Sequence, residues 1–79
     1  MAKVLLFGRL ADIAGWRQKD VAAQSLSILT ATLSKSDPAL AAALAGKGVQ
    51  VAVNQTLVRG DMDLSAEVEV AYLPPMSGG

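Results

Sequence analysis

There is no cysteine and no histidine anywhere in the chain. The first absence excludes disulfides, thiolate metal sites and a thiol nucleophile; the second removes the commonest general base and metal ligand. Neither a metal site nor autonomous catalysis is expected. Aromatic residues are scarce, with one Trp, one Tyr and one Phe. Long apolar runs are missing too, since none approaches the roughly 20 residues that a membrane helix needs. Met1-Ala2-Lys3 followed by Val4 to Phe7 is too short for a signal-peptide core. These absences point to a soluble, cytoplasmic protein with no membrane partner.

What is present is globular in balance, 52% hydrophobic and 18% charged over 79 residues. That length gives room for one domain, which buries only about 60–65% of its unfolded surface and has no visible staple. The formal charge is zero, yet residues 1–60 carry all seven Lys and Arg against three acids, while Asp61, Asp63, Glu67 and Glu69 come after them with no base. A neutral total argues against nucleic acid, and the asymmetry suggests that the acidic end meets something basic.

Lys3-Val4-Leu5-Leu6-Phe7 is a continuous apolar run closed by Gly8, which predicts a central strand covered on both faces. Gly8 to Gly15 suits a loop with one helical turn, in which Arg9 is read as solvated. Trp16 to Val21 is mostly polar and fits an edge strand antiparallel to the first, with Trp16 over the rim of the core. Ser25 is placed to cap a helix whose apolar residues are Leu26, Ile28, Leu29 and Leu33. Asp37-Pro38 repeats a cap and first-position signal for a second helix that stops at Gly46. Gly46-Lys47-Gly48 lacks the frame of a phosphate loop and reads as a helix end and turn.

Val49 to Asn54 alternates with Val49, Val51 and Val53 inward, and Asn54-Gln55 turns it into Thr56-Leu57-Val58. Arg59-Gly60-Asp61 is taken as a turn. Glu67 to Leu73 begins in strict alternation, with Val68 and Val70 inward, and loses it at Ala71. Ala71, Tyr72 and Leu73 therefore put apolar groups on both faces of the last strand. One face becomes a docking patch, rimmed by Asp63, Glu67 and Glu69, unless the loop from Leu10 to Ala14 covers it. Pattern alone gives an α+β domain over residues 1–75, with one main helix and a short second one on a mixed sheet.

Leu73-Pro74-Pro75-Met76-Ser77-Gly78-Gly79 closes the sequence. Two prolines fix φ and lack N–H groups, so they end the strand and aim the residues beyond them. Residues 76–79, expected to be a flexible tail, span roughly 13 Å when extended at about 3.3 Å per residue. Gly78 and Gly79 offer no Cβ to a narrow channel.

This tail, with the strand, arginine and helical loop near the N-terminus, resembles the small, sulfur-carrying subunits of molybdopterin synthase, which end in Pro-Pro-x-x-Gly-Gly. Met76 stands where valine is frequent, and Ser77 where alanine or serine is usual. The resemblance covers nearly the whole chain. It implies a ubiquitin-like β-grasp fold with first and last strands adjacent and parallel. It also implies that Gly79 is adenylated by an activating enzyme using ATP, with no cofactor bound by the chain itself, and converted to a thiocarboxylate. The expected partners are that enzyme and the large synthase subunit, in a heterotetramer of two small and two large chains. Ala71, Tyr72, Leu73, Pro74 and Pro75 would contact the partner, and Met76, Ser77 and Gly78 would carry Gly79 into it. A thiamine-pathway sulfur carrier and a ubiquitin-like protein modifier share the Gly-Gly end; the Pro-Pro pair and long helical region point away from the former.

Overall fold

The computed structural model describes residues 1–75, so Met76, Ser77, Gly78 and Gly79 lie outside the described residues. The elements run β1 (Ala2–Leu6), α1 (Arg9–Ala14), β2 (Gln18–Val21), α2 (Leu26–Ser36), α3 (Pro38–Leu44), β3 (Gln50–Val53), β4 (Thr56–Val58) and β5 (Glu69–Leu73). The five strands form one sheet in the order β2-β1-β5-β3-β4. Only the β1–β5 pair is parallel; the other three are antiparallel. This is the β-grasp arrangement that the resemblance implies.

Period-two alternation sends Ala2, Val4 and Leu6 of β1 and Val68, Val70 and Tyr72 of β5 and its approach toward the helices. They meet Leu10, Leu26, Leu29, Leu33 and Leu40 in a single core. In α2 the buried stripe is Leu26, Leu29 and Leu33. Ile28, expected to join them, is 48% exposed, because at about 100° per residue it points well away from that stripe.

Local signals work as their chemistry predicts. The Ser25 Oγ accepts the Ile28 N–H at 3.2 Å, and the Asp37 Oδ1 accepts those of Ala39 and Leu40, both at 3.1 Å, ahead of Pro38. Asn54 and Gln55 both have positive φ, the geometry of the turn whose twist matches a two-residue hairpin. β2 is an edge strand, and the Lys19 ammonium lies 4.8 Å from the Trp16 ring centroid.

Two expectations need correction. β1 is not the central strand; β5 is, with β1 on one side and β3 on the other. Nor is β1 covered on both faces, for Leu5 is half-exposed and Phe7, just past its end, is 45% exposed. α1 cannot cover that face because Leu10 and Ala11 are buried on the helical side, where α1 packs against α3.

The Arg59-Gly60-Asp61 turn does more than reverse the chain. The Asp61 Oδ1 accepts the Ser27 N–H at 2.7 Å and the Met62 N–H at 2.9 Å, and its Oδ2 accepts the Ser27 hydroxyl at 2.9 Å. The Leu26 N–H donates to the Met62 carbonyl at 2.9 Å. The first three amides of α2 are thus satisfied, two of them by a loop more than thirty residues away in sequence.

Bonds from the Ser27 backbone and hydroxyl favour the ionised Asp61 carboxylate and hold its pKa below the ordinary 3.8. Its contribution to stability is present above the unfolded-state pKa and is lost as pH falls through the lower folded-state value. Asp61→Ala is expected to melt below the wild type at neutral pH, with the gap in Tm narrowing as the buffer is acidified below the ordinary carboxylate value of 3.8. A gap that persists unchanged in acid would show that the carboxylate charge is not what holds the helix end.

Candidate functional site

The register places a defined surface on the face of the sheet turned away from the helices. Leu5 of β1 pairs with Ala71 of β5, Ala71 with Ala52 of β3, and Ala52 with Leu57 of β4. These four residues form one apolar row across four strands, since directly paired residues share a face. Ala52 and Ala71 are buried yet lie outside the core cluster, whereas Leu57 is 59% exposed. The next row toward the end of β5 contains Leu73, paired with Gln50, beside Phe7. The preceding row is charged, Asp20–Lys3–Glu69.

The open face is therefore apolar beside the point where the chain leaves β5 and charged at its far end. Ala71 and Leu73 lie on it together, as expected. Tyr72 does not: the same alternation turns it into the core, where it is 1% exposed and its hydroxyl shares a 2.8 Å hydrogen bond with the Thr30 hydroxyl. Burial raises the pKa of that phenol. Tyr72 is therefore not a contact residue of this surface; it anchors β5 to α2. The expected acidic rim is also divided. Glu69 lies on the sheet face, but Asp63 pairs with Ser25 in an isolated bridge beside α2, and Glu67 lies ahead of β5 with positive φ.

Pro74 is half-buried and Pro75 exposed. Two glycines in separate loops press against them. A Cβ on Gly8, between β1 and α1, would stand 3.0 Å from the Pro74 Cγ, and one on Gly48, before β3, would stand 2.8 Å from the Pro75 Cβ. Both glycines have positive φ, +55° and +84°, so each loop needs glycine for its own backbone as well as for this approach. The Phe7 N–H donates to the Tyr72 carbonyl at 3.2 Å, carrying the β1–β5 ladder to the exit. Sequence reading assigned the aim of the tail to the two prolines alone and missed both glycines. A glycine's closeness to another segment has no local signature.

Fold and exit together define a ubiquitin-like protein whose last strand delivers a Pro-Pro segment beside an open apolar sheet face. The chain belongs to the ThiS family, which matches residues 4–79. It is 36% identical to the molybdopterin synthase sulfur carrier subunit of Escherichia coli (strain K12) over 81 aligned positions, covering all of both chains. Among solved structures it resembles SAMP1, small archaeal modifier protein 1, from Haloferax volcanii, with a TM-score of 0.82 and 28% identity over 99% of this chain and 98% of that one. It shares its fold with a chain in the complex of subunits 1 and 2 of molybdopterin-converting factor from Helicobacter pylori 26695. There the TM-score is 0.75, with 23% identity over 99% of this chain and 97% of that one.

The contact between Gly48 and Pro75 can be isolated by comparison with Gly15, which has φ +83° but no atom within 4 Å of an added Cβ. Gly15→Ala is expected to cost about 1–2 kcal/mol for left-handed backbone alone. Gly48→Ala is expected to cost about 1 kcal/mol or more beyond that, because Pro75 must also move. Equal losses in denaturant unfolding would mean that Pro75 is not held there.

Proposed function

We propose that this protein is the sulfur-carrying subunit of a molybdopterin synthase and that the carboxylate of Gly79 is its working group. The observation that carries the reading is the full-length identity with the E. coli sulfur carrier subunit. The Pro-Pro-x-x-Gly-Gly end and the apolar face beside its root support it.

A free carboxylate is a poor electrophile, so a leaving group must be installed. The Gly79 carboxylate attacks the α-phosphorus of ATP in an activating enzyme, releasing pyrophosphate and forming an acyl adenylate. Sulfide-level sulfur, as hydrosulfide, then attacks the acyl carbon and AMP leaves, giving a thiocarboxylate. Delivered into the large subunit, the thiocarboxylate sulfur attacks a carbon of cyclic pyranopterin monophosphate, an oxygen substituent leaves that carbon, and hydrolysis of the resulting thioester returns the Gly79 carboxylate and leaves a thiol on the substrate. Two such transfers complete a dithiolene, consistent with a heterotetramer of two small and two large chains. In this scheme the chain is a substrate and carrier. It supplies no acid or base and keeps no cofactor.

The likeness to SAMP1 favours a second use of the same end, in which a lysine amine displaces AMP to make an isopeptide bond. The two products differ in mass. Exchange of one carboxylate oxygen for sulfur adds about 16 Da to the intact chain, whereas conjugation adds a whole partner.

Deleting Gly79, or appending a residue after it, is expected to abolish sulfur transfer in a reconstituted assay while leaving the melting curve unchanged. Either change displaces the carboxylate by about 3.3 Å from any site built to receive it. Full activity in either variant would overturn the reading. On the open face, Leu73→Asp is expected to weaken binding to the large subunit about tenfold or more, with little loss of stability. The added carboxylate stays wet in the free protein and is desolvated in the complex. Unchanged affinity in a titration would remove this face from the interface.

A further inference from the structure

Two loops flank the C-terminal end of the central strand for a topological reason. β1 runs parallel to β5, so its exit at Phe7-Gly8 lies at the end of β5, while β3 runs antiparallel and brings its entry at Gly48-Val49 to the same end. The chain leaves β5 between them. Gly8 meets the Pro74 ring and Gly48 the Pro75 ring, each so closely that an added Cβ would stand at 3.0 Å or less. Gly15 and Gly60 also have positive φ, yet nothing lies within 4 Å of a Cβ built on either. Positive φ alone therefore does not account for the approach. Neither proline belongs to the core cluster, and Pro75 is exposed, so burial is a minor part of what these contacts do. The Pro-Pro sequence stiffens the segment from within, by fixing φ and by confining the residue before each proline to extended backbone. It leaves open the angle at which that stiff segment departs from the domain. The two loops close it.

We infer that Gly48 is a positioning residue for Gly79: with Pro74 seated on Gly8, it fixes the Pro75 ring, so that a partner holding the domain has only the residues beyond Pro75 left to place. That Gly79 is the reacting end rests on the proposed function. An alanine at position 48 would bring its Cβ to 2.8 Å from the Pro75 Cβ, and the gap must open by about 0.6 Å to reach the 3.4 Å at which ordinary contact begins. Turned about Pro74, one Cα spacing of about 3.8 Å away, that shift carries a point roughly 13 Å further on by about 2 Å. A misplacement of about 1 Å already costs up to about a hundredfold in rate. The partner can recover the position only by straining the segment or by moving the domain off its docking surface.

ATP–pyrophosphate exchange by the adenylating protein, with the full chain as the varied substrate, tests this at a temperature where every variant is folded. Gly48→Ala should lower kcat about tenfold or more with KM changed less than about threefold. Gly15→Ala is its control, matched in φ at +83° against +84°, and should leave both constants within about twofold of wild type. Gly48→Asn tolerates positive φ but keeps the added Cβ, so it should lower kcat as the alanine does with a smaller loss of Tm. That variant carries the test if Gly48→Ala unfolds. Pro75→Gly removes the ring and should itself lower kcat; in that background Gly48→Ala should cost no more than Gly15→Ala, a coupling that a merely structural glycine would not show. Equal kcat for Gly48→Ala and Gly15→Ala overturns the inference, as does a Gly48→Ala effect that survives undiminished without the Pro75 ring. A loss confined to KM overturns it too, since it would place Gly48 in the docking surface. Each of these results is read against a wild-type chain that supports exchange. A wild type that supports none overturns the proposed role of Gly79, and the inference with it.

Discussion

The parallel pairing of β1 with β5 is the constraint on which the rest of the structure depends. Parallel neighbours cannot be joined by a tight turn; they require a crossover, and here nearly the whole chain supplies it. The crossover brings the helices to one face only. The register then decides the character of both faces. With Val4 opposite Val70 and Leu6 opposite Tyr72, the bulky residues of β5 enter the core and Ala71 and Leu73 turn outward. A slip by one residue would exchange these sets, exposing Val70 and Tyr72 and driving Glu69 inward. Such a slip would destroy the core and the open apolar face in the same step, so one register specifies both.

What was legible in the sequence was local. Ser25, Asp37-Pro38 and Asn54-Gln55 each act within a few residues of themselves, through a side-chain cap or a backbone preference, and each is found where its chemistry implies. The polar edge strand after Trp16 was legible for a similar reason, since its own composition suits an open edge. The broken alternation at Ala71 correctly signalled that β5 has apolar residues on both faces. With Val68 and Val70 inward, period-two alternation carried forward puts Tyr72 inward and Ala71 and Leu73 outward, and counting all three as contact residues ignored it. Tyr72 was therefore misplaced, and the predicted centre of the sheet went to β1 rather than β5.

The remaining misses are all contacts between distant segments. Asp61 sits in a tripeptide that reads as an ordinary turn, yet its carboxylate completes the first turn of a helix that begins at Leu26. Gly8 and Gly48 read as strand and helix punctuation, and they serve as that. They also leave room for Pro74 and Pro75, a requirement that exists only once three parts of the chain have come together. The candidate site itself is divided in the same way. Its proposed working group belongs to the tail, outside the described residues, whereas the surfaces around Pro74 and Pro75 are products of the fold.

An open apolar sheet face is ordinarily a hazard for a small protein, because exposed sheets associate through their edges as well as their faces. Here the edges are guarded while the face is not. β2 presents Gln18, Lys19 and Asp20, all exposed, and β4 is only three residues long and is followed by Arg59. Strand addition at either edge would have to desolvate charge or gain few backbone bonds, whereas docking onto the row from Leu5 to Leu57 buries apolar surface at once. The fold thus leaves exposed apolar surface beside the exit at Pro74 rather than along either edge of the sheet.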